Sequence, residues 1–527
     1  MQNLLKGRHS IFTLAISILL ITILTLAGTG CDSDDAPEGD LTGESETTGS
    51  ESEYANELII GLGRDFHYGP QDRSFLHGST NVWESLTYLN ENLEAVPELA
   101  ESFSSSEDGT VWTFKIREGV VFHDGEELNA DVVKKNIERA SRHNALAPSY
   151  NTMTEVRVTD PMTIEIVLSE PSPTFPELIS YHGSPIFSPN VIDDENTDIT
   201  APVGTGPYIF KEYRDEQIYL EANPDYYKGK PSIDKVVFYH IPDENTRVSA
   251  LKAGDVNALA DVGVILPDQV PDIEGYEGIT MKTVDVLTSI YLHFQNENSP
   301  VSDAALRRGI SMLMDRDELV EKLNSGFGKP AGGIISPLAG YWIKSDTAPR
   351  FVPDEAKTIF EGLEISESID ILVCANWARR WPILSIAQYL QTELNSAGLN
   401  VSMRSLEMGA YMDEAREGNY HITFTPWTGS DPDDFFRAWI QSDGSLNTAR
   451  GLFYSNPEAD ELIAAGRKEM DRERRREIYN ELQDIISEEM PMTPIYHDMT
   501  IYATKDYVKD FEMDFNFKAD LHRASIQ

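Results

Sequence analysis

The sequence predicts two α/β lobes carried on an acidic tether behind a membrane-directed N-terminus. Three observations predict this. The chain has 527 residues, more than one hydrophobic core holds, so two or three lobes are expected. From Leu58 onward strand-like and helix-like apolar patterns alternate. Mixed strands dominate before Tyr291 and longer helices follow it, the pattern of two α/β units.

The N-terminus is read first. Lys6 and Arg8 precede the uncharged run IFTLAISILLITILTLA, and GTG then leads to Cys31. A basic start, an apolar stretch and small residues are the layout of a secretory signal. A cysteine directly after small residues resembles a bacterial lipoprotein signal over 1–31, with Cys31 as the lipidated residue. Gly28 stands where that pattern usually has leucine. An uncleaved anchor helix is the alternative, and either places the body outside the cytoplasm. From Asp32 to Glu53 there are nine acidic residues and no basic ones. Such a segment buries too little apolar surface to order itself, so 32–55 reads as a self-repelling tether.

The body follows. ELIIGLG reads as a strand, and TVWTFKI alternates with Trp112, Phe114 and Ile116 on one face. Asn129 is placed to cap a helix over ADVVKKNIERAS, with Val133, Ile137 and Ala140 inward. EVRVTDPMTIEIVL is two strands about a Thr-Asp-Pro turn. IYLEANPDYY and IDKVVFYHI are further strands, and the helix ENTRVSALKA stops at Gly254. SDAALRRGISMLMDRDELVEKL, WPILSIAQYLQTELNSAGL and RERRREIYNELQDIISEEM read as helices, with strands SIDILVCA and ITFTPW between them. PMTPIYHDMTIYATKDYV is strand again. Cys374 lies in an apolar strand and reads as a small core residue.

Composition excludes some chemistries. A net charge of −45 repels phosphate backbones, which argues against nucleic-acid binding. It suits solubility outside the cytoplasm first and a cationic ligand second. One cysteine beyond Cys31 makes neither a disulfide nor a thiolate metal site. H-E-x-x-H, G-x-S-x-G and EF-hand patterns are absent from the sequence. GFGKPAGG lacks the spacing and the Ser/Thr of a phosphate loop. GTGPY, Gly204–Tyr208, is followed by a strand, not by the helix N-terminus a phosphate cradle needs. It reads as a backbone crossing or tight turn.

Five segments together resemble one family. They are WTFKIREGVVFHDGEELNADVV, PVGTGPYIF with ANPDYYKGKPSIDKVVF, IPDENTRVSALKAGDVNAL, LRRGISMLMDRDELV and IYNELQDIISEEMPMTPIY. In order and spacing they are similar to the extracytoplasmic substrate-binding proteins of peptide and nickel ABC importers, solute-binding family 5. The resemblance implies a two-lobed, periplasmic-binding-protein-like α/β clamp of class II, with an enlarged first lobe and a hinge. It implies binding rather than catalysis, no cofactor, a monomer, and ABC permease and ATPase partners. The expected division is lobe I over 56–283, with 490–527 returning to it, and lobe II over 284–489.

The resemblance also proposes site residues. GVILPDQ and SRHNALAPSY look like the nickel-chelate branch, which implies Arg142, beside His143, as a fork for a chelator's carboxylates. A surface cation at a helix end is the plainer reading. A second pocket arginine of that branch is missing from ISYHGSPIF, where His182 stands. His182 and His77 are then either direct metal ligands or ordinary loop histidines. In PWTGSDPDDFF, Trp427 is expected to stack on the ligand, or to be a core tryptophan. Asp431 either substitutes for an aspartate that in peptide-binding members holds the peptide's amino terminus, or forms a plain turn with Pro432. A nickel chelate is the first expectation and a di- or oligopeptide the second. A membrane-tethered hydrolase and a receptor feeding a sensor are the readings from other classes.

Overall fold

The computed structural model describes residues 56–66, 80–143, 146–180, 185–192, 199–342, 344, 347–429 and 432–527. Residues 1–55, including Cys31 and the acidic tether, lie outside them, as do His77, His182 and Asp431.

The first half begins with β1 (Glu57–Leu62), the hairpin β2 (Thr87–Leu89) and β3 (Ala95–Pro97), and then β4 (Ala100–Ser105) and β5 (Val111–Ile116). In β5, Trp112, Phe114 and Ile116 are buried, as the alternation predicts. The helix Ala130–Ala140 follows, and the Asn129 side chain accepts from Val132 N at 3.0 Å. β6 (Met153–Asp160) and β7 (Thr163–Leu168) complete a four-stranded sheet of order β4-β5-β7-β6. β8 (Tyr208–Arg214), β9 (Gln217–Ala222), β10 (Lys235–His240) and β11 (Ala258–Leu259) belong to the main sheet. The helix Glu244–Ala253 ends at Gly254, whose φ of 88° is the left-handed cap glycine allows.

The strand expected over IYLEANPDYY ends at Ala222. Asn223 stops it: its side chain accepts from Asp225 N at 3.1 Å and donates to Gly206 O at 3.1 Å. Local side-chain bonds outcompete the ladder there. Tyr226, Tyr227 and Lys228 then reach the buried carboxylate of Glu84, each at 2.9 Å. Thr205 of GTGPY donates to the same carboxylate at 2.9 Å. A Cβ on Gly204 would meet Val82 O, and one on Gly206 would meet Asn81 O. The two glycines let this segment cross the 81–83 backbone, and no helix follows them.

β12 (Ile279–Phe294) carries the chain into the second half, where β13 (Lys329–Pro330), β14 (Ser368–Cys374), β15 (Asn400–Leu406) and β16 (Ile422–Thr428) follow. The helix expected over 302–323 is broken after Met312. Asp315 caps a fresh start, accepting from Glu318 N at 3.0 Å, so local capping overrides the continuous apolar period. The helices Ile383–Ser396 and Arg472–Glu489 form as their patterns predict, and Pro457–Gly466 is a further helix ahead of the last one.

β17 (Met492–Lys505) closes the architecture. The main sheet runs β15-β14-β16-β12-β17-β11-β1-β10-β9-β8, with β13 also on β17. Thus β12 and β17 lie together in the middle of a sheet shared by two lobes. Their pairing breaks between Asp285 and Ser289 and again between Ile290 and Tyr291. One hydrophobic cluster gathers β1, β5, β7 and β10 with Tyr502, Phe511 and Leu521 near the C-terminus. The second-half sheet has a core on each face, Ile290 and Leu292 in one and Tyr291 in the other. Cys374 is fully buried at the end of β14. Among the described residues no helix is long and apolar enough to cross a membrane.

Candidate functional site

Strand direction locates the site. β14 runs parallel to both β15 and β16, so the loops after Cys374 and Thr428 leave from one edge. In the first half β1 is parallel to β10 and β11, so the residues after Leu62 and Leu259 also share an edge. In open α/β sheets ligands bind outside the carboxyl ends of strands. Here two such edges face each other: the Arg380 side chain from the loop after β14 lies against Gly263, beyond β11.

One wing of this crevice is charged. Asp261, fully buried, accepts from Arg64 Nε at 3.0 and 3.1 Å and from Arg64 N at 3.2 Å. Opposite them, the Arg380 guanidinium lies 4.3 Å from the Trp381 ring centroid, with its Nη2 3.9 Å from Asp498 Oδ2. Trp381 Nε1 donates to the same Asp498 oxygen at 2.8 Å. Burial lowers the Arg380 pKa from its usual value, opposed by Asp498 and Asp261. Burial raises that of Asp498, opposed by Arg380. The strip alternates cation and anion across the boundary between the halves, and Arg380 keeps 26% exposure.

The other wing is aromatic. Trp427 is half-buried at the end of β16, its ring 5.2 Å from Phe435 in an edge contact, and Phe435 lies 5.5 Å from Tyr291. Leu287, Ile335, Gly429 and Pro432 complete the wall. A Cβ on Gly429 would collide with the Trp427 indole, so the glycine lets the ring fold over the loop. Trp427 pairs with Ser289 across β16 and β12, and Ser289 pairs with His497 across β12 and β17. Ser289 Oγ and His497 Nδ1 are 2.8 Å apart. Burial, then Lys329, pushes the His497 pKa down to about 4, so its imidazole is neutral at neutral pH. The broken stretch of the crossover strands therefore sits directly beside the aromatic wall.

Of the sequence-predicted residues, Trp427 lines this wall and also belongs to the core around Phe435 and Tyr291. Arg142 is exposed just beyond the helix Ala130–Ala140, and His143 beside it is buried. Neither lines the wall that holds Trp427. Among the described residues no three His, Cys, Asp or Glu side chains are grouped to hold a metal. Sequence reasoning missed Arg64, Asp261, Arg380 and Asp498. The available signal was ANWARRW, a pair of arginines directly after an apolar strand in a strongly acidic chain.

Comparison with known proteins bears on this geometry. The model for "Bacterial extracellular solute-binding proteins, family 5 Middle" matches residues 94–447. The probable di/tripeptide-binding protein 5 of Pseudomonas aeruginosa is 27% identical over 471 residues, covering 82% of this chain and 87% of its own. The dipeptide-binding protein of Escherichia coli K12 is 25% identical over 476 residues, covering 82% of this chain and 86% of its own. Among solved structures, NikA from Brucella suis in complex with Fe(III)-EDTA superposes with a TM-score of 0.78 at 23% identity, covering 89% of this chain and 100% of that one. At that identity the last likeness concerns the fold alone.

Proposed function

The chain belongs to family 5 of the bacterial extracellular solute-binding proteins, binding proteins rather than enzymes, and we propose that it captures a short peptide for an ABC importer. The observation that carries the peptide reading is the alternating strip Arg64–Asp261–Arg380–Asp498, whose Asp498 lies in the interrupted stretch of β17 that pairs with β12 next to the aromatic wall. A zwitterion needs a fork for its carboxylate and an anion for its ammonium, and Arg380 with Asp498 supplies both in a partly desolvated place. Trp427 and Phe435 offer apolar surface for a side chain. The named relatives are di/tripeptide- and dipeptide-binding proteins, which supports the same reading.

A nickel chelate of an amino-acid-like molecule is the second reading. It rests on the carboxylates such a chelator presents to the same arginine, and on the likeness of Arg142-His143 to that branch. On this second reading the metal is cargo. Closure is proposed to occur at the interrupted pairing of β12 and β17, between a first lobe of 56–283 with 490–527 and a second of 284–489. The N-terminal 31 residues are proposed as an export signal ending at a lipidated Cys31, with 32–55 as tether.

Calorimetric titration of the purified body with a dipeptide pool, with nickel, and with nickel plus free histidine tests the reading. Heat with dipeptides, lost in Arg380→Met, is the expected result. Heat only with nickel and histidine would replace the peptide by the chelate.

A further inference from the structure

The second half also touches the first through a turn outside the crossover strands. Residues 467–471 form the turn between the helices Pro457–Gly466 and Arg472–Glu489. Met470 of this turn packs against the first-half core. Its thioether fills the space where a Cβ of Gly109 would stand, and Gly109, at φ +67°, turns β4 into β5. Ion pairs flank the methionine on both sides. Arg472 Nη2 lies 2.7 Å from Glu94 Oε1, on the β2–β3 hairpin. Lys468 Nζ lies 2.9 Å from Glu170 Oε2, just beyond β7, and Arg467 Nη2 lies 3.9 Å from Glu170 Oε1. Arg472 is itself held over the Tyr341 ring, 3.9 Å from its centroid. Between the halves here lies a cavity of about 350 Å³, whose lining includes Leu93, Glu94, Thr174, Trp342, Pro432 and Met470. Pro432 also belongs to the wall around Trp427, so this contact adjoins the aromatic wall.

Two acidic lobes repel each other on approach, because the chain carries −45. Residues 467–472 carry three cations against Glu469 and Asp471, a net +1 in an acidic chain. Lys468 and Arg472 face Glu170 and Glu94, and Arg467 is shared between Glu170 and, at 3.6 Å, Asp433 of its own half. The pairs are one-third to one-half exposed, so each is individually weak and salt-sensitive. A methionine seated on a glycine turn supplies the apolar part of the contact and adapts to its seat.

We propose that the 467–472 turn is a closure latch, with the four-stranded sheet and the β2–β3 hairpin as its seat. Met470, Arg467, Lys468 and Arg472 act as positioning residues that favour the closed arrangement without touching the solute. The idea rests on the proposed opening of the lobes about β12 and β17. A ligand that touches both lobes gains only its differential affinity for the closed state, so strengthening or weakening the latch changes affinity from a distance.

Small-angle scattering of the full body without ligand tests this, at about 20 mM and about 1 M salt, where the Debye length is about 20 Å and about 3 Å. Glu94→Arg and Arg472→Glu are each expected to raise the radius of gyration at low salt. The exchanged pair Glu94→Arg/Arg472→Glu is expected to return it to the wild-type value. Met470→Ser is expected to raise it at both salts. Unfolding midpoints confirm which variants are folded, and Met470→Ser keeps the test open if a charge reversal does not fold. Folded single variants that scatter like wild type, or an exchanged pair no nearer wild type than its parents, would overturn the latch. Because no ligand enters the measurement, failure of the peptide reading leaves its outcome untouched.

Discussion

Gly206 and Glu98 show how much single residues decide in the first lobe. A methyl on Gly206 would press on the carbonyl of Asn81, which is backbone and cannot swing aside. Gly206→Ala is expected to destabilise by about 1–3 kcal/mol, the usual cost of overpacking, read by denaturant unfolding. Glu98 is buried beside Glu84, with Lys518, Lys228 and the Ser85 amide also facing it. Burial first, then Glu84, pushes its pKa up to about 7. The folded state therefore holds a proton that the unfolded chain releases near 4.5, so this residue's contribution falls as pH rises from about 4.5 to 7. Glu98→Gln is expected to gain on the order of 1–2 kcal/mol relative to wild type at pH 8, and least at pH 5. A gain that is the same at both pH values would refute the titration.

At the scale of elements, two buried arginines hold the strand that both lobes share. Arg316 donates to Pro494 O at 2.8 Å, to Pro349 O at 2.8 Å, and to Ser311 and Thr493 at 2.9 Å. Arg307 donates to Glu489 O and Met490 O just ahead of the strand. Removing Arg316 takes the donor from the Pro494 and Pro349 carbonyls, while Ser311 and Thr493 keep their bond to each other at 2.8 Å, so Arg316→Met is expected to cost about 1–3 kcal/mol, seen as an earlier unfolding midpoint. This scale also shows what was legible in the sequence. β5, the Asn129 cap and the Gly254 stop follow from period and cap chemistry over a dozen residues. The break at Asp315 and the end of β9 at Asn223 were hidden because one polar side chain redirected the backbone. The charged wing was illegible for another reason. Arg64, Asp261 and Arg380 follow three different strands and Asp498 lies within β17, so the four are distant in sequence and meet only in the fold. Trp427 was expected either to stack on a ligand or to be a core tryptophan, and its packing against Phe435 places it in the core at the aromatic wall.

For the whole molecule, charge sets the response to salt. Self-repulsion at −45 destabilises the compact state and is screened by added ions. The thermal midpoint is expected to rise between about 20 mM and about 1 M sodium chloride, as the Debye length falls from about 20 Å to about 3 Å. A midpoint that falls would show that the surface ion pairs outweigh the net repulsion.

The position of β17 has a consequence for the order of events in the life of the chain. The strand made almost last lies in the middle of the main sheet, between β12 and β11. Asn81 donates to Ala519 O across 438 residues, and Tyr208 Oη to Leu521 O across 313. Neither lobe's sheet has its central partner until synthesis is nearly complete, and such non-local pairing forms slowly. A nascent chain that stays unfolded until its end arrives remains threadable, as a protein bound for the far side of a membrane must be while it crosses.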